Sequence, residues 1–530
     1  MRTDDTTVAR PPTHVRVDVT VRYPRMVDPV RGADEEMTVV TITELAADSG
    51  AVVVEPPGTH SSLSFRGRFP FGIDQWALVP FDVPAGVRRI TVSTSHDRFS
   101  LAGVARNVLD LGIFGPAGGD LGNAEGFRGW SGGARDGFTL SAADATPGYL
   151  AGPITPGQWA LAFGPVVLNP FGMGWQADIL LEYGPPASPT SRVEALPTVA
   201  EGRGLDWYRG DLHLHTVHSD GRHEPQSLAA TARAAGLDFI VSTDHNTNSA
   251  NRAWGGCRTD GLLVIGGEEV TTRHGHWLAV GLAQDGWLDW RYAPRDGVFA
   301  GYAAAVRAAG GIVVAAHPAV PLPGSAWEFG YRDVDAIEVW NGAWNLDDEI
   351  SLRHWHRLLR GGRRIAAVGG SDSHGSHQAV GLPQTVARAT ELSTAAVIEA
   401  LLRGRSYIAE SSAVSVELTA SCRVAGDTAT AAIGEALPVP PADQVTVDAE
   451  VRGAPGTTVA LITAAGCVAR IAVDDSGTGR LRFTDTGARA RFARVEVRRP
   501  VRRRLSSMVA LTNPVWLEDA SLPRQHRVCG

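Results

Sequence analysis

Apolar and polar residues alternate in several short segments of the first third of the chain. Alternation over about four to eight residues is typical of strands that bury one face. Turns rich in glycine and proline separate these segments, so we predict a β-sandwich-like domain over residues 1–184. A proline-rich segment follows, and we predict a linker over residues 185–204. The clearest predicted strands are His14–Val21, Met37–Thr43, Arg88–Ser95 and Trp175–Tyr183.

The hydrophobic pattern changes near Arg209, where short apolar runs begin to alternate with helical segments. One predicted helix, Pro225–Gly236, has proline in its first turn and glycine at its end, as helices commonly do. Such alternation of strands and helices favours a parallel α/β fold. We therefore predict a central α/β barrel over residues 205–410. A return to short alternating segments predicts a small C-terminal β-domain over residues 411–530.

Composition and charge restrict the classes of partner. The 530 residues include 49 basic and 57 acidic side chains, and the net charge of −8 provides no general attraction for nucleic acid. No apolar segment approaches the ~20 residues of a membrane span, and the N-terminal segment lacks the features of a signal peptide. The four cysteines form no CxxC pair. We therefore expect a cytoplasmic protein that does not act on membranes or on long nucleic acids.

Histidine is concentrated in the middle of the chain. Of the 16 histidines, 12 lie between His213 and His377. A single histidine is more often a surface or core residue than a ligand, but this density predicts a metal or acid–base site. The motif GDLHLHTVHSDG places His213 and His215 two residues apart at the end of a predicted strand, so both imidazoles point to the same side. Asp220 follows them in a turn.

Four further apolar runs also end in histidine or an acidic residue. In parallel α/β folds, functional sites form at the carboxyl ends of strands. Five such ends are difficult to attribute to packing, because buried charges need partners and metal ions provide them. Mixed imidazole and carboxylate ligands suit Zn²⁺, Mn²⁺ or Fe²⁺ better than Ca²⁺ or Mg²⁺. The four runs contribute His245, then Glu268 with Glu269 and His276, then His317, and finally Asp372 with His374.

These motifs resemble those of a known family. The segments DLHLHTVHSDG, STDHN, GGEEVT, GH, AHP and GSDSH follow one another over Arg209–Glu410. They are similar to the motifs of the PHP domain, which is named for polymerase and histidinol phosphatase. Longer segments, including IEVWNG, GRRIAAVGGSDSH and ALTNPVWL, are similar to the CehA/McbA subgroup, which includes carbaryl-hydrolase-like proteins. The resemblance implies a distorted (βα)7 barrel that holds two or three divalent metal ions, with Zn, Mn or Fe as the expected metals.

The resemblance also implies a set of metal ligands. Of the two adjacent acids in GGEEVT, we predict that Glu269 bridges two ions and that Glu268 does not. We also predict a catalytic role for Asp220, His245, Glu269 and His374. The implied ligands are His213, His215, Glu269 and Asp372 for the first ion, Glu269, His276 and His317 for the second, and Asp220, His245 and His374 for the third.

The implied chemistry is hydrolysis. Two cations about 3.5–4 Å apart lower the pKa of a bridging water to near ~7, which provides hydroxide at neutral pH. Members of the family mostly hydrolyse phosphoesters, so the resemblance implies a metal-dependent phosphoesterase that hydrolyses a phosphomonoester or phosphodiester with a metal-bridging hydroxide. A carbamate or carboxylic-ester hydrolase with the same metal cluster is the alternative, and an oligonucleotide exonuclease is a lesser one.

Four residues outside the ligand set are predicted to contact the substrate. Asn246, Glu338 and Asn341 lie at or just after predicted strand ends, where side chains contact substrate or orient ligands. Arg273 is a candidate for holding a phosphate. We expect the substrate to be a small ester or phosphoester.

Overall fold

The structure of the chain is a computed structural model that describes residues 60–71, 76–98, 106–185, 188, 194–322, 324–424, 427–501 and 506–519. The chain divides into two compact units, residues 1–192 and 193–530. The predicted strands His14–Val21 and Met37–Thr43 lie outside the described residues. The boundaries after residues 184, 204 and 410 stay predictions.

The described part of the first unit consists of antiparallel strands in two four-stranded sheets. The strands are β1 (His60–Phe69), β2 (Ala77–Val83), β3 (Val87–His96), β4 (Val108–Phe114), β5 (Phe127–Gly132), β6 (Gly137–Ser141), β7 (Gly157–Val167) and β8 (Met173–Tyr183). Their orders are β1-β8-β3-β6 and β2-β7-β4-β5. Ile90, Trp159 and Ile179 are among the buried side chains with which both sheets build one core, as the alternating sequence pattern requires.

The first part of the second unit combines nine strands with five helices. The strands are β9 (Asp206–Asp211), β10 (Phe239–Ser242), β11 (Leu263–Thr272), β12 (Gly275–Val280), β13 (Ile312–Ala315), β14 (Ala336–Asn341), β15 (Ala366–Gly370), β16 (Gln384–Ala389) and β17 (Ser406–Ala409). The helices are α1 (Pro225–Ala234), α2 (Ser249–Trp254), α3 (Phe299–Ala308), α4 (Leu346–Arg360) and α5 (Thr394–Leu402). A short 3₁₀ helix spans Pro294–Asp296.

These nine strands belong to one mixed sheet with the order β15-β14-β13-β12-β11-β10-β9-β16-β17. The strands β9, β10 and β11 are parallel, and so are β13, β14 and β15. Between these sets, β12 pairs antiparallel with both β11 and β13, and β16 pairs antiparallel with β9. The described residues therefore form a strand-rich molecule with few helices, and they do not show the expected (βα)7 barrel as a regular alternation of strands and helices.

The two outer strands of the seven-strand path from β15 to β9 approach each other beyond their carboxyl ends. An isolated parallel bridge joins Leu214, three residues after β9, to Ser373, three residues after β15. The backbone N–H of His215 donates to the carbonyl of Ser373 (3.1 Å), and that of Asp372 donates to the carbonyl of His213 (2.8 Å). The path is thereby drawn together at the end of the sheet where the predicted ligands lie.

The helices follow from local sequence signals. The helix α4 is amphipathic, with Leu352, Trp355 and Leu359 buried on one side. Asn345 caps its first turn by accepting from the backbone N–H groups of residues 347 and 348, and the side chain of Asp348 completes the capping box. Within the described residues, no helix has the length and apolar character that crossing a membrane requires.

The remaining strands of the second unit carry the sheet across the predicted boundary after residue 410. They are β18 (Ser415–Val424), β19 (Asp427–Ala432), β20 (Ala436–Val439), β21 (Gln444–Arg452), β22 (Thr458–Thr463), β23 (Gly466–Ala472), β24 (Gly479–Thr486), β25 (Phe492–Arg499), β26 (Ser507–Thr512) and β27 (Val515–Asp519), with helix α6 (Gly487–Ala490). β17 pairs antiparallel with β26, so the large sheet continues through β26, β25, β22 and β23. A separate sheet has the order β19-β18-β21-β24.

Asn513 connects the amino end of β15 to the C-terminal strands. Its side chain is buried, and its amide oxygen accepts from the backbone N–H of Ala367 at 2.7 Å. Its amide nitrogen lies within hydrogen-bond distance of the carbonyls of Ala367 and Ser406 and of the Ser406 hydroxyl. One buried amide thus satisfies backbone groups of two strands.

We predict that Asn513→Ala lowers the free energy of unfolding by about 2–4 kcal/mol, because it leaves buried backbone groups without partners. The measurement is the midpoint of urea unfolding, compared with Gln444→Ala at an exposed position. A change no larger than that of the control variant would contradict the connecting role of Asn513.

Candidate metal centre

The nine predicted metal ligands lie together at one end of the large sheet. They form three groups, and within each group one potential ligand atom per residue lies within 4.8 Å of those of the others. His215 and Glu269 each belong to two groups. The groups are His213, His215, Glu269 and Asp372; then Glu269, His276 and His317; and finally His215, Asp220, His245 and His374.

The bridge between the segments after β9 and β15 brings four of these side chains to one face. Successive side chains of extended backbone point to opposite sides, so His213 and His215 share a side. His374 reaches the same side, because its ring stacks on that of His215 with ring centroids 4.1 Å apart. Leu214 lies between the two histidines and is fully buried on the other side. His215 Nε2 lies 2.9 Å from Asp372 Oδ1, and His213 Nε2 lies 3.4 Å from the same oxygen.

The fully buried carboxylate of Glu269 stands between two of the groups. Its Oε2 lies 3.2 Å from His213 Nε2 and 3.4 Å from His215 Nε2. Its Oε1 lies 2.9 Å from His276 Nδ1 and 3.2 Å from His317 Nε2. His245 Nδ1 also lies 2.8 Å from Oε2. The two carboxylate oxygens therefore face separate sets of imidazoles, three at Oε2 and two at Oε1, and a carboxylate placed in this way is suited to bridging two ions.

Glu268 is also buried but points away from the three groups. Its Oε2 accepts from the backbone N–H of Leu288 at 3.0 Å. Burial raises the pKa of the Glu268 carboxyl well above its usual value. Because neighbouring strand residues face opposite sides, only Glu269 of this pair reaches the imidazoles.

The third group is the most exposed one. Asp220 Oδ1 lies 3.3 Å from His374 Nε2 and 3.6 Å from His245 Nε2. The Asp220 side chain is 45% exposed and that of His374 30%, whereas the His213 side chain is fully buried. Solvent therefore reaches the centre from the side of Asp220.

Electrostatic interactions keep the carboxylates of the centre ionised. Burial alone would raise the pKa of Glu269, but the imidazoles of His245, His213 and His276 hold it well below its usual value. Burial would also raise the pKa of Asp372, and the neighbouring imidazoles, first among them His213, hold it well below its usual value. Burial would lower the pKa of His213, but the surrounding carboxylates raise it far above its usual value. Ionised carboxylates at this depth require positive charge beside them.

Several buried ligand atoms have no hydrogen-bond partner within the described part of the chain. They are His213 Nε2, His215 Nδ1, His317 Nδ1 and Glu269 Oε2. Buried polar atoms are rarely left without a partner, and imidazole nitrogens facing carboxylate oxygens are the donor set of Zn²⁺, Mn²⁺ or Fe²⁺. The residues therefore fit divalent transition-metal ions.

Glu338 lies behind His213, away from solvent. It is 1% exposed, and its two oxygens lie 3.1 and 3.2 Å from His213 Nδ1. Its Oε2 also accepts from the backbone N–H of His317 (2.8 Å) and from Asn341 Nδ2 (3.1 Å). Asn341 Nδ2 is also 3.4 Å from Asp372 Oδ2. Glu338 and Asn341, which were predicted to contact substrate, thus contact candidate ligands and orient them. A carboxylate beside Nδ1 of His213 directs the Nε2 of that imidazole toward the metal position.

Asn246 and Arg273 occupy turns beside the ligands. The side chain of Asn246 bonds the backbone of Thr271, accepting from its N–H at 2.7 Å and donating to its carbonyl at 3.3 Å. Arg273 lies in the hairpin turn between β11 and β12, next to the segment that carries His276. Their predicted contact with substrate stays a prediction.

Sequence reasoning did not single out Thr271 and Asp211, which position the ligands. Thr271 Oγ1 lies 2.6 Å from His245 Nδ1, which leaves His245 Nε2 facing Asp220. Asp211 accepts from the backbone N–H groups of His213, Ser371 and Gly381. Burial raises the pKa of Asp211 to about 6, although these hydrogen bonds act to lower it.

Arg222 donates its backbone N–H to the carbonyl of His374, at the exposed side of the centre. The position of these residues beside ligand motifs in the sequence could suggest only that they lie near the centre, because their contacts depend on the fold.

The backbone is in the left-handed region at three positions of the centre. Asn246 (φ 54°), His317 (φ 25°) and Asp372 (φ 50°) have positive φ although none is glycine. Such conformations are costly for these residues and persist where surrounding contacts enforce them. At His317, the hydrogen bond from its N–H to Glu338 supplies one such contact.

The comparisons with known proteins find distant similarities. No family model matches the chain. An uncharacterised protein of Methanocaldococcus jannaschii is 26% identical over an alignment of 170 positions, which covers 29% of this chain and 92% of the relative. A solved two-domain protein of Bacteroides vulgatus, described as containing a predicted PHP-like metal-dependent phosphoesterase, is 17% identical with a TM-score of 0.34, over 62% of this chain and 100% of that one. A solved amidohydrolase of Chromobacterium violaceum is 19% identical with a TM-score of 0.24, over 32% of this chain and 89% of that one.

We predict that Glu338→Gln weakens metal affinity about 10- to 100-fold, the usual effect of losing a residue that orients a ligand. The N–H of His317 and the amide of Asn341 both donate to Oε2, so the new amide NH₂ would take the place of Oε1 and would face His213 Nδ1, and the negative charge beside this imidazole would be lost. The measurement is a titration of metal-depleted protein with Zn²⁺ against a chelating indicator. Glu399→Gln, at a side chain that is 54% exposed, is the matched control. Affinity equal to that of the control would show that Glu338 does not orient His213.

Proposed function

We propose that this chain is a metal-dependent hydrolase of the PHP type that hydrolyses a phosphomonoester or phosphodiester. The observation that carries the proposal is the carboxylate of Glu269, whose two oxygens face two separate sets of histidines, three at Oε2 and two at Oε1. A buried carboxylate shared in this way is suited to holding two cations a short distance apart, as hydrolytic two-metal sites require.

The chain would hold two or three ions, with Zn, Mn or Fe as the proposed metals, in the three groups described above. When bound, such ions supply Lewis acidity and make water nucleophilic near neutral pH. His213, His215 and Glu269 are fully buried, so they exclude bulk water from the inner part of the centre. Asp220 and His374 form its open side and are the ligands next to an incoming substrate.

The position of Arg222 at that open side favours a substrate that carries negative charge. Its backbone N–H is bonded to the carbonyl of His374, and a side chain added at Gly375 would contact the methylene groups of Arg222 at 3.3–3.5 Å. Its side chain is exposed, and no ion pair of its guanidinium occurs among the described residues. A guanidinium in this position is suited to a phosphate oxygen that projects from the centre.

The finer assignment to a distorted (βα)7 barrel of the CehA/McbA subgroup is part of the same proposal. It is supported by the order of the motifs along the chain and by the bridge between Leu214 and Ser373, which draws the outer strands of the seven-strand path together. The pairing of β17 with β26 also joins the C-terminal ALTNPVWL segment to this region.

The test is a hydrolysis panel with metal-loaded protein. We expect turnover of bis-p-nitrophenyl phosphate or p-nitrophenyl phosphate that is lost on chelation and restored by Mn²⁺ or Zn²⁺. His213→Ala and Asp372→Ala should lower it by more than the roughly 10- to 100-fold that follows loss of a residue behind a ligand. His354→Ala, on α4 outside the three groups, should retain it.

Other outcomes of the panel separate the alternatives. Turnover of a naphthyl methylcarbamate alone would replace the phosphoesterase proposal with a carbamate or ester hydrolase, and stepwise shortening of a single-stranded oligonucleotide alone would replace it with an exonuclease. Full activity of the two ligand variants, or activity that resists exhaustive chelation, would contradict the metal centre itself.

A further inference from the structure

A cavity of about 410 Å³ lies in the second unit, where the amino end of β15 meets the C-terminal strands. Its wall includes Ile365 and Ala366 where β15 begins, Leu402 at the end of α5, Pro514 between β26 and β27, and Trp516 in β27. The volume falls within the range of about 300–1,000 Å³ typical of small-molecule sites. Such sites occur preferentially where separate structural layers meet.

The cavity is positively charged. Arg364, Arg403 and Arg405 line it, and Glu435 is the acidic residue of its described wall. The Glu435 carboxylate is turned back to its own chain, because its Oε2 accepts from the backbone N–H of Ala432 at 3.0 Å. The wall therefore presents more positive than negative charge to whatever enters the cavity.

Two of the three arginines already have carboxylate partners outside the cavity wall. Arg364 pairs with Glu518, and its guanidinium carbon also lies 5.1 Å from the ring centre of Trp516. Arg403 pairs with Glu399 at 2.9 Å. In these pairs a carboxylate compensates the positive charge of Arg364 and of Arg403.

Arg405 differs from the other two. Its Nε is buried and has no hydrogen-bond partner in the described part of the chain, and no carboxylate oxygen described there lies within 4.0 Å of its guanidinium. A guanidinium cannot lose its proton to avoid this situation, so a buried Nε–H without an acceptor is destabilising. The charge of Arg405 thus has no carboxylate partner among the described residues, and an anionic oxygen in the cavity would provide one.

We propose that this cavity binds a small molecule with an apolar or aromatic body and one carboxylate or phosphate group. The anionic group accepts from Arg405, and the body packs between Leu402, Ile365 and Trp516. One guanidinium without a carboxylate partner in the described residues favours a single anionic group, and Leu402, Ile365 and Trp516 provide apolar surface for the body of the ligand.

This site is distinct from the candidate metal centre. Ala366 begins β15 and lines the cavity, whereas Asp372 lies beyond the opposite end of the same strand. Six residues of extended chain separate them, or about 20 Å at ~3.3 Å per residue. A small ligand in the cavity therefore cannot contact the metal centre.

The test is isothermal titration calorimetry of the full-length, metal-loaded protein with 2-naphthoate and with naphthalene-2-phosphonate, neither of which contains a hydrolysable ester. We expect saturable binding of at least one of them, and binding at least about tenfold weaker for the neutral 2-naphthalenemethanol. Preference for the carboxylate or the phosphonate identifies the anionic group.

Arg405→Gln should weaken binding at least about tenfold, since it removes a charged hydrogen-bond donor. Leu402→Glu should weaken it similarly by placing a carboxylate at the rim, and because Leu402 is 52% exposed this variant remains informative if Arg405→Gln does not fold. Arg332→Gln, at a side chain that is 87% exposed, controls for a change of overall charge and should bind like the wild type.

His213→Ala separates the two sites. Unchanged binding in this variant supports the cavity, whereas loss of binding would show that the probe occupies the metal centre and would overturn the proposal. Absence of saturable binding at millimolar concentrations of both anions, or equal binding by Arg405→Gln and the wild type, would also overturn it.

Discussion

The need to compensate a charge buried away from water organises the candidate centre. The carboxylate of Glu269 is fully buried, and five imidazoles lie within 3.4 Å of its two oxygens. An ionised carboxylate at that depth is strongly unfavourable without adjacent positive charge. The surrounding imidazoles meet this need if they are protonated or if they share cations with the carboxylate. The second solution also explains why ligand atoms such as His213 Nε2 are left without hydrogen-bond partners in the described residues.

Much of the neighbouring structure positions these side chains. Pairing of the segments after β9 and β15 sets His213, His215, Asp372 and His374 on one face, and Asp211 holds both segments through their backbone N–H groups. Glu338, Thr271 and the carbonyl of Asp372 each engage one nitrogen of an imidazole and leave the other directed into the centre. Positive φ angles at His317 and Asp372 show that the fold imposes backbone conformations these residues do not favour on their own.

The sequence allowed the candidate ligands to be anticipated because they obey a local rule. Residues two apart in an extended segment share a side, and the carboxyl ends of neighbouring strands meet at one edge of a sheet, so spacing alone indicated a metal site there. The assignment of nine residues to three groups came from the resemblance to the PHP motifs. The same local pattern could not show that β12 is antiparallel to its neighbours or that β17 pairs with β26, because alternation reports burial and not strand direction or partner. Nor could it show that Glu338 lies behind His213, or that Arg405 lines a cavity, since both depend on contacts between segments distant in sequence.

The account rests on Glu269 as a carboxylate shared between two cations. Anomalous X-ray diffraction from crystals of the Mn²⁺- or Zn²⁺-loaded protein, measured on both sides of the metal absorption edge, locates the ions directly. The account predicts one peak between Glu269 Oε2 and the pair His213 and His215, and a second between Glu269 Oε1 and the pair His276 and His317. Two peaks on either side of this carboxylate would establish its bridging role. A metal peak only at a distant position, or none within these groups in crystals shown to contain the metal, would contradict the central claim.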